Sequence, residues 1–310
     1  MKAIRQHEFG DPDVLRLEDV PRPDPIPTEI RVRVRATSVN PVDFKTRRGH
    51  GPLQKLPFTV GWDVAGVVDE VGGGVTRFVA GDEVLGMPWF PRPAATYAEY
   101  VTAPSRQFVR KPAALSFAEA AALPLAGLTA WQILVDTARV RPGQRVLVHA
   151  AAGGVGHLAV QIAKARGAHV VGTARAVNHD LVRELGADEL IDYRTTRFED
   201  ATGDIDVVVD LIGGENSVRS LDVMHPDGLL ISVPSSAGPG VHEAAAKRGL
   251  RSTGFLVEPD QVGLDGLVAL IESGKLRIIV GAEFPLAEAA AAHEAAQNGH
   301  SVGKIAIVVP

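Results

Sequence analysis

Hydrophobic and polar positions change rhythm partway along the chain. Over the first 110 or so residues the pattern is that of strands. Ile30–Arg35 (IRVRVR) alternates apolar and cationic residues, the two-residue period of a strand with one face in water. Val64–Val71 and the Gly81–Val84 step read as further short strands between glycines, and the proline clusters at 21–27 and 88–93, which cannot continue a ladder, mark loops. This part predicts a small, irregular β-barrel or sandwich.

From about Leu115 the texture becomes alanine-rich and helical, and strands then alternate with helices. Arg145–His149, His169–Thr173, Glu189–Asp192, Asp206–Leu211, Leu229–Val233 and Arg251–Leu256 are six short apolar runs, and amphipathic segments such as Leu158–Arg166 and Asp180–Leu185 lie between several of them. Regular β–α alternation of this kind predicts parallel strands joined by crossover helices, a doubly wound α/β sheet. After Val257 the pattern predicts a helix (Leu264–Ser273), a strand (Arg277–Val280), an alanine-rich helix (Leu286–Gln297) and a last strand (Lys304–Val309).

Composition changes this picture only by exclusion. With 310 residues, 45% hydrophobic and 22% charged, the chain has the make-up of a globular protein of two domains or one large one, and its net charge of -5 gives no electrostatic reason to expect nucleic acid as a partner. No apolar stretch reaches the ~20 residues that a membrane span needs, and the start MKAIRQHEFG has no apolar signal core, so a soluble, cytoplasmic protein is expected. There is no cysteine, and the ten histidines lack metal-site spacing, so no metal is expected.

One stretch carries chemistry. In HAAAGGVGHLAVQ (149–161), Gly154, Gly156 and Ala159 fit G-x-G-x-x-A, with an apolar strand before and an amphipathic segment after. Glycines here are expected to supply a positive φ for a tight turn. Lacking a β-carbon, Gly153, Gly154 and Gly156, with Val155 between them, would let a dinucleotide pyrophosphate reach the backbone N–H groups at the helix start. NAD-type sites place an acid at the end of the next strand, to bind the ribose 2′-hydroxyl. Here the segment after Thr173 reads Ala174-Arg175-Ala176-Val177-Asn178-His179, with no acid and with a guanidinium suited to a 2′-phosphate, so NADPH is the expected cofactor.

Taken together, SVNPVD (38–43), GWDVAG (61–66), LPLAGLTA (123–130), AAAGGVG (150–156) and the tail GKI (303–305) resemble the zinc-free, quinone oxidoreductase-like branch of the medium-chain dehydrogenases/reductases, over nearly the whole chain. The resemblance implies a GroES-like β-barrel substrate domain (residues 1–120), a Rossmann domain (121–260) and a C-terminal return to the substrate domain (261–310), with NADPH in the cleft. It also implies a homodimer paired along the Rossmann sheet edge at Arg251–Val257. At the positions where zinc-containing relatives carry two metal ligands this chain has Asn40 and Trp62. A metal-independent hydride transfer to a quinone or an α,β-unsaturated carbonyl follows as the expected reaction. A zinc-dependent alcohol dehydrogenase and a non-catalytic, crystallin-like NADPH-binding protein are the alternatives.

The same resemblance places individual residues. Asn40 would hydrogen-bond the cofactor or the acceptor carbonyl, or serve only as a turn residue before Pro41. Asp43 is a candidate acid or a helix cap, and His50 a candidate donor to the acceptor or a solvated loop residue. Thr129 would reach the nicotinamide ribose or bond back to its own helix. Tyr193 would lie beside the adenosine phosphate, with Thr173, Asn178, Val233 and Lys304 as further cofactor contacts. Trp62 and Trp89 are candidate walls for a flat acceptor or parts of the core.

Overall fold

A computed structural model describes residues 1–233, 238–299 and 301–310. The chain divides into two compact units. One comprises Met1–Leu128, Glu258–Gly274 and Ile278–Pro310; the other comprises Thr129–Val257 and Lys275–Arg277. The alanine-rich helices begin before the change-over, because Ser116 caps Phe117–Ala122, whose side chains at 118 and 120–122 are buried in the first unit.

In the second unit the six apolar runs become one wholly parallel sheet. Its spatial order is Glu189–Asp192, His169–Ala174, Arg145–Val148, Ile205–Asp210, Met224–Ser232 and Arg251–Gly254. The order reverses beside Arg145–Val148, which pairs with the second strand on one side and the fourth on the other, so this is the doubly wound dinucleotide-binding topology with its switch point at the first strand's end. Leu147, Val171, Ile191, Val208 and Leu230, one from each of five adjacent strands, pack with Phe198, Leu221 and Val241 into a single buried cluster. Each such side chain contributes roughly 1.5–3 kcal/mol when fully buried. A parallel sheet covered on its faces needs continuous apolar runs, and that is why these strands stood out in the sequence.

The first unit is built on the eleven-residue strand Glu29–Val39, which pairs with Val64–Val71, Tyr100–Pro104 and Lys304–Val308. The sheet continues to Val280–Pro285 on one side, and through Glu83–Gly86 to Phe108–Arg110 on the other, so both chain ends contribute to it. The alternation at 30–35 is half right about solvent. Arg33 is exposed, but Arg31 is buried and held by Asp69 and Glu70 at 2.7 and 2.5 Å and by Asp24 at 3.0 Å. The strand expected at Arg277–Val280 forms later, at Val280–Pro285. Gln161 already engages both backbone groups of Arg277, and the Ile279 carbonyl accepts from the Lys304 N–H at 2.8 Å. Among the described residues no helix is long and apolar enough to cross a membrane.

Candidate functional sites

The glycine turn joins the strand Arg145–Val148 to the helix Gly156–Ala165. Its left-handed residue is Ala150 (φ 50°), where a glycine had been expected. Gly156 has a different duty: a β-carbon there would stand 2.1 Å from the Ala150 carbonyl oxygen and 2.9 Å from the Ala151 Cα, so the helix start rests directly on backbone. The turn is tied from outside as well. Ala151 N–H donates to the Thr173 carbonyl at 2.9 Å, and His157 Nδ1 donates to the Gly153 carbonyl at 2.9 Å. The N–H groups of Gly154, Val155 and Gly156 find no acceptor among the described residues. Three unengaged donors at the head of a ten-residue helix are the donor set that a diphosphate requires.

Other expected cofactor residues stand at the carboxyl ends of neighbouring strands. Arg175 follows His169–Ala174, half-buried, and Asn178 closes the short turn behind it. Tyr193 follows Glu189–Asp192 and is 56% exposed. Val233 follows Met224–Ser232, its N–H donating to Asp210 O at 3.1 Å. Thr173 lies beneath this row. Its hydroxyl donates to His149 Nδ1 at 3.1 Å, while His149 Nε2 donates to Ser220 Oγ at 2.9 Å, whose own proton goes to Asn216 O. Burial pushes His149 down to about 4, so the imidazole stays neutral and braces the turn from below. Thr129 is buried in the helix Pro124–Trp131.

In the first unit the structure gathers a buried polar cluster that the sequence gives only in pieces. Asp63 is fully buried. Its Oδ1 accepts the Leu125 N–H at 2.7 Å; its Oδ2 accepts Ser38 Oγ at 2.5 Å and Asn40 Nδ2 at 2.7 Å. Lys304, an expected cofactor contact, is buried: its ammonium donates to Asn40 Oδ1 at 2.5 Å and Val39 O at 3.0 Å, and lies 3.7 Å from Asp63. Asp43 accepts the Asn40 backbone N–H at 2.7 Å and so caps the helix Pro41–Arg47. That helix is held further along by Arg47, which is buried against His293 at 3.1 Å, Gln297 at 2.9 Å and Gly10 O at 3.1 Å; His293 in turn donates to Tyr97 Oη at 3.1 Å. His50 lies in an exposed loop beyond the helix. Trp62 is wholly buried, packed edge-on to Phe90 with its indole N–H on Arg92 O at 2.7 Å, and the half-buried Trp89 donates to Thr102 O at 3.0 Å.

Burial, reinforced by the nearby Asp63 charge, pushes the Asp43 carboxyl up to about 8. In an unfolded chain it would ionise near 3.8, so between those values folding takes up a proton and stability falls as pH rises. Asp43→Asn keeps an acceptor for the helix cap and removes the titration. Chemical denaturation from pH 5 to pH 9 is expected to show a declining midpoint for the wild type and a flatter one for the variant.

A parallel dinucleotide-type sheet together with a barrel that carries a buried polar cluster defines a class, the two-unit oxidoreductases that work with a nucleotide cofactor. Family models agree: residues 26–113 match the alcohol dehydrogenase GroES-like domain and residues 185–307 the zinc-binding dehydrogenase domain. The quinone oxidoreductase of rat (Rattus norvegicus) is 35% identical, with 98% of this chain and 96% of that protein covered. Among solved structures, the quinone oxidoreductase from Coxiella burnetii superposes with a TM-score of 0.95 at 40% identity, covering 100% of this chain and 99% of that one. The Escherichia coli quinone oxidoreductase complexed with NADPH gives 0.90 at 31% identity, covering 99% and 100%. The chain belongs to the quinone oxidoreductase-like branch of the medium-chain dehydrogenases/reductases and is an oxidoreductase.

The zinc in one of those domain descriptions does not suit the residues here. The chain has no cysteine, and among the described residues no three His, Asp or Glu side chains stand together as a ligand set. At the two motif positions, the Asn40 amide is turned to Asp63 and Lys304 and the Trp62 indole has no lone pair to offer. Several residues of these buried polar groups were not singled out from the sequence: Asp63, Ser38, Tyr97, Arg47 and His293. Asp63 had a usable signal, an acid set between apolar residues in GWDVAG.

Proposed function

We propose that this protein is an NADPH-dependent, metal-independent reductase of quinones or α,β-unsaturated carbonyl compounds. The observation that carries the reading is the set of three unengaged N–H groups at the glycine turn, with Arg175 and no acid at the end of the next strand. When bound, the cofactor supplies a hydride to an acceptor already made electrophilic by conjugation, which needs no Lewis acid. The chain's residues bind and orient: Gly154, Val155 and Gly156 hold the diphosphate through backbone N–H groups, and the Arg175 guanidinium forms a charge-assisted fork with the 2′-phosphate. Asn178 and Tyr193 flank that end of the nucleotide.

Oxidation of NADPH followed at 340 nm, with 1,4-benzoquinone and cyclohex-2-enone as acceptors, tests the reading. Turnover undiminished by a chelator is expected. Tight NADPH uptake with no acceptor reduced across a broad panel would leave a binding protein in place of a reductase. Arg175→Ala is expected to raise the KM for NADPH about 10-fold or more, the loss of one or two charge-assisted bonds, and to leave the KM for NADH nearly unchanged. Equal effects on the two coenzymes would remove Arg175 from phosphate recognition. Among the described residues the strand Arg251–Gly254 ends the parallel sheet with one side unpaired, and Leu256 beyond it is 65% exposed. Pairing of this edge with a second copy gives the dimer we infer, and light scattering at twice the chain mass of 32.8 kDa is the expected result.

A further inference from the structure

The left-handed conformation of Ala150, φ 50°, is costly for an alanine and persists only where its surroundings over-determine it. Its own N–H has a side chain for a partner, Thr173 Oγ1 at 3.3 Å. That contact is one end of a chain of hydrogen bonds whose direction is fixed by backbone at both ends. A backbone N–H only donates, so the Thr173 oxygen accepts from Ala150 and its hydroxyl proton goes to His149 Nδ1, 3.1 Å away. At the other end a backbone carbonyl only accepts: Ser220 Oγ donates to Asn216 O at 2.7 Å, and the serine oxygen is left to accept from His149 Nε2 at 2.9 Å. Both ends require the same imidazole, with Nδ1 bare and Nε2 protonated, and the tautomer is assigned on that ground. Thr173, His149 and Ser220 are all buried. Phe198 packs edge-on to the imidazole, ring centroids 4.8 Å apart. The far end is itself anchored, because Ser217 in the helix Glu215–Ser220 donates to Asp210, whose other oxygen accepts the Ile212 and Gly213 N–H groups at 3.0 Å. The chain therefore ties the carboxyl end of His169–Ala174 to the segment after Ile205–Asp210, across the strand between them where the sheet order reverses.

We propose that Thr173, His149 and Ser220 are positioning residues for diphosphate recognition: their one-way chain of hydrogen bonds holds Ala150 left-handed and so aims the N–H groups of Gly154, Val155 and Gly156. The inference rests on the nucleotide reading above and assigns what keeps the turn in its binding shape. In this role the Thr173 hydroxyl serves the turn from beneath and is not a cofactor contact. Burial pushes His149 down to about 4, with the Arg219 charge acting the same way against Asp210 and Glu199, so at neutral pH the imidazole keeps a bare Nδ1 for Thr173. A turn held in advance spares the nucleotide the cost of ordering it on binding.

Thr173→Val keeps the shape of the side chain and removes the hydroxyl. By isothermal titration its affinity for NADPH is expected to fall at least ~10-fold. ADP-ribose, which carries the diphosphate without a 2′-phosphate, is expected to weaken in parallel, whereas 2′-AMP, which carries no diphosphate, is expected to bind as before. In steady-state assays the KM for NADPH rises while kcat at saturation changes by less than about 2-fold. Thr173→Ser retains both bonds and is expected to retain affinity. Ala150→Gly separates holding the turn from packing, because glycine takes a positive φ at no steric cost. In an Ala150→Gly background, adding Thr173→Val is expected to cost no more than about 3-fold in NADPH affinity. Equal losses in the two backgrounds, or an equal loss for 2′-AMP, would overturn the proposal.

A measurement on the wild type does not depend on the variants folding. In ¹⁵N-correlated imidazole spectra at neutral pH, with His149 assigned through its contact with the Phe198 ring, Nδ1 is expected to be bare and Nε2 protonated, with and without NADPH. An Nδ1–H tautomer or an imidazolium would leave the Thr173 proton without its acceptor, and the proposal would be wrong. Failure of the wild type to take up NADPH at all would sink the nucleotide reading itself, and the positioning role with it; intact uptake by the wild type with undiminished affinity in Thr173→Val sinks the positioning role alone.

Discussion

Gly156→Ala is expected to abolish useful NADPH binding, with affinity falling by at least about 100-fold, or roughly 2.7 kcal/mol. A single methyl group suffices because it would sit 2.1 Å from the Ala150 carbonyl oxygen and 2.9 Å from the Ala150 carbonyl carbon, both backbone atoms that no side-chain rotation can move aside. The turn must open to admit it. Ala150 already occupies the left-handed region, its N–H is held by Thr173 Oγ1 at 3.3 Å, and the next N–H is fixed on the Thr173 carbonyl, so the strand side is anchored and the helix start has to give way. That displacement carries the N–H groups of Gly154, Val155 and Gly156 off the diphosphate. Gly153→Ala places its methyl 3.2 Å from the same carbonyl oxygen and is expected to have a smaller effect, whereas Gly203→Ala meets nothing within 4 Å and serves as the control. Isothermal titration with NADPH across the three variants measures the gradient. Wild-type affinity in Gly156→Ala would mean that the nucleotide lies elsewhere.

The sheet that carries this turn was legible because its determinants are local. Six apolar runs separated by amphipathic helices encode a parallel sheet almost directly, and the glycines announce a place where backbone must approach backbone. What the spacing could not tell was which residue takes the left-handed conformation, since Ala150 looks no different in sequence from Ala151 and Ala152. The barrel cluster was barely legible for the opposite reason. Asn40 and Lys304 are 264 positions apart, Arg47 and His293 are 246 apart, and nothing local in either segment points to its partner. Pairing across such distances is decided by the barrel register, where Lys304–Val308 runs antiparallel to Ala36–Val39, and a sequence does not display register. Arg31 shows the same limit: its neighbours Val32 and Val34 predict a wet face, and the carboxylates of 69 and 70 on the adjacent strand, with Asp24, make its burial tolerable.

Asp63→Ala is expected to be the most destabilising single change in the barrel unit, by roughly 3–5 kcal/mol, the usual cost of removing one partner from a buried charge pair. The change leaves the Lys304 ammonium, 3% exposed, without its nearest carboxylate, and orphans the Leu125 N–H, the Ser38 hydroxyl and one Asn40 N–H together. Water cannot easily replace the carboxylate, since Trp62 beside it is wholly buried and Ser38 is too. A fall in Tm on the order of 10 °C follows for a domain of this size. Adding Lys304→Met to Asp63→Ala removes the stranded charge and is expected to recover a good part of the loss, because a buried pair replaced by apolar side chains is close to neutral where a half-pair is not. Differential scanning calorimetry on the two single variants and the double variant gives the coupling. If Asp63→Ala costs no more than an ordinary surface substitution, the buried cluster does not hold the barrel together and Asn40 is fixed by something else.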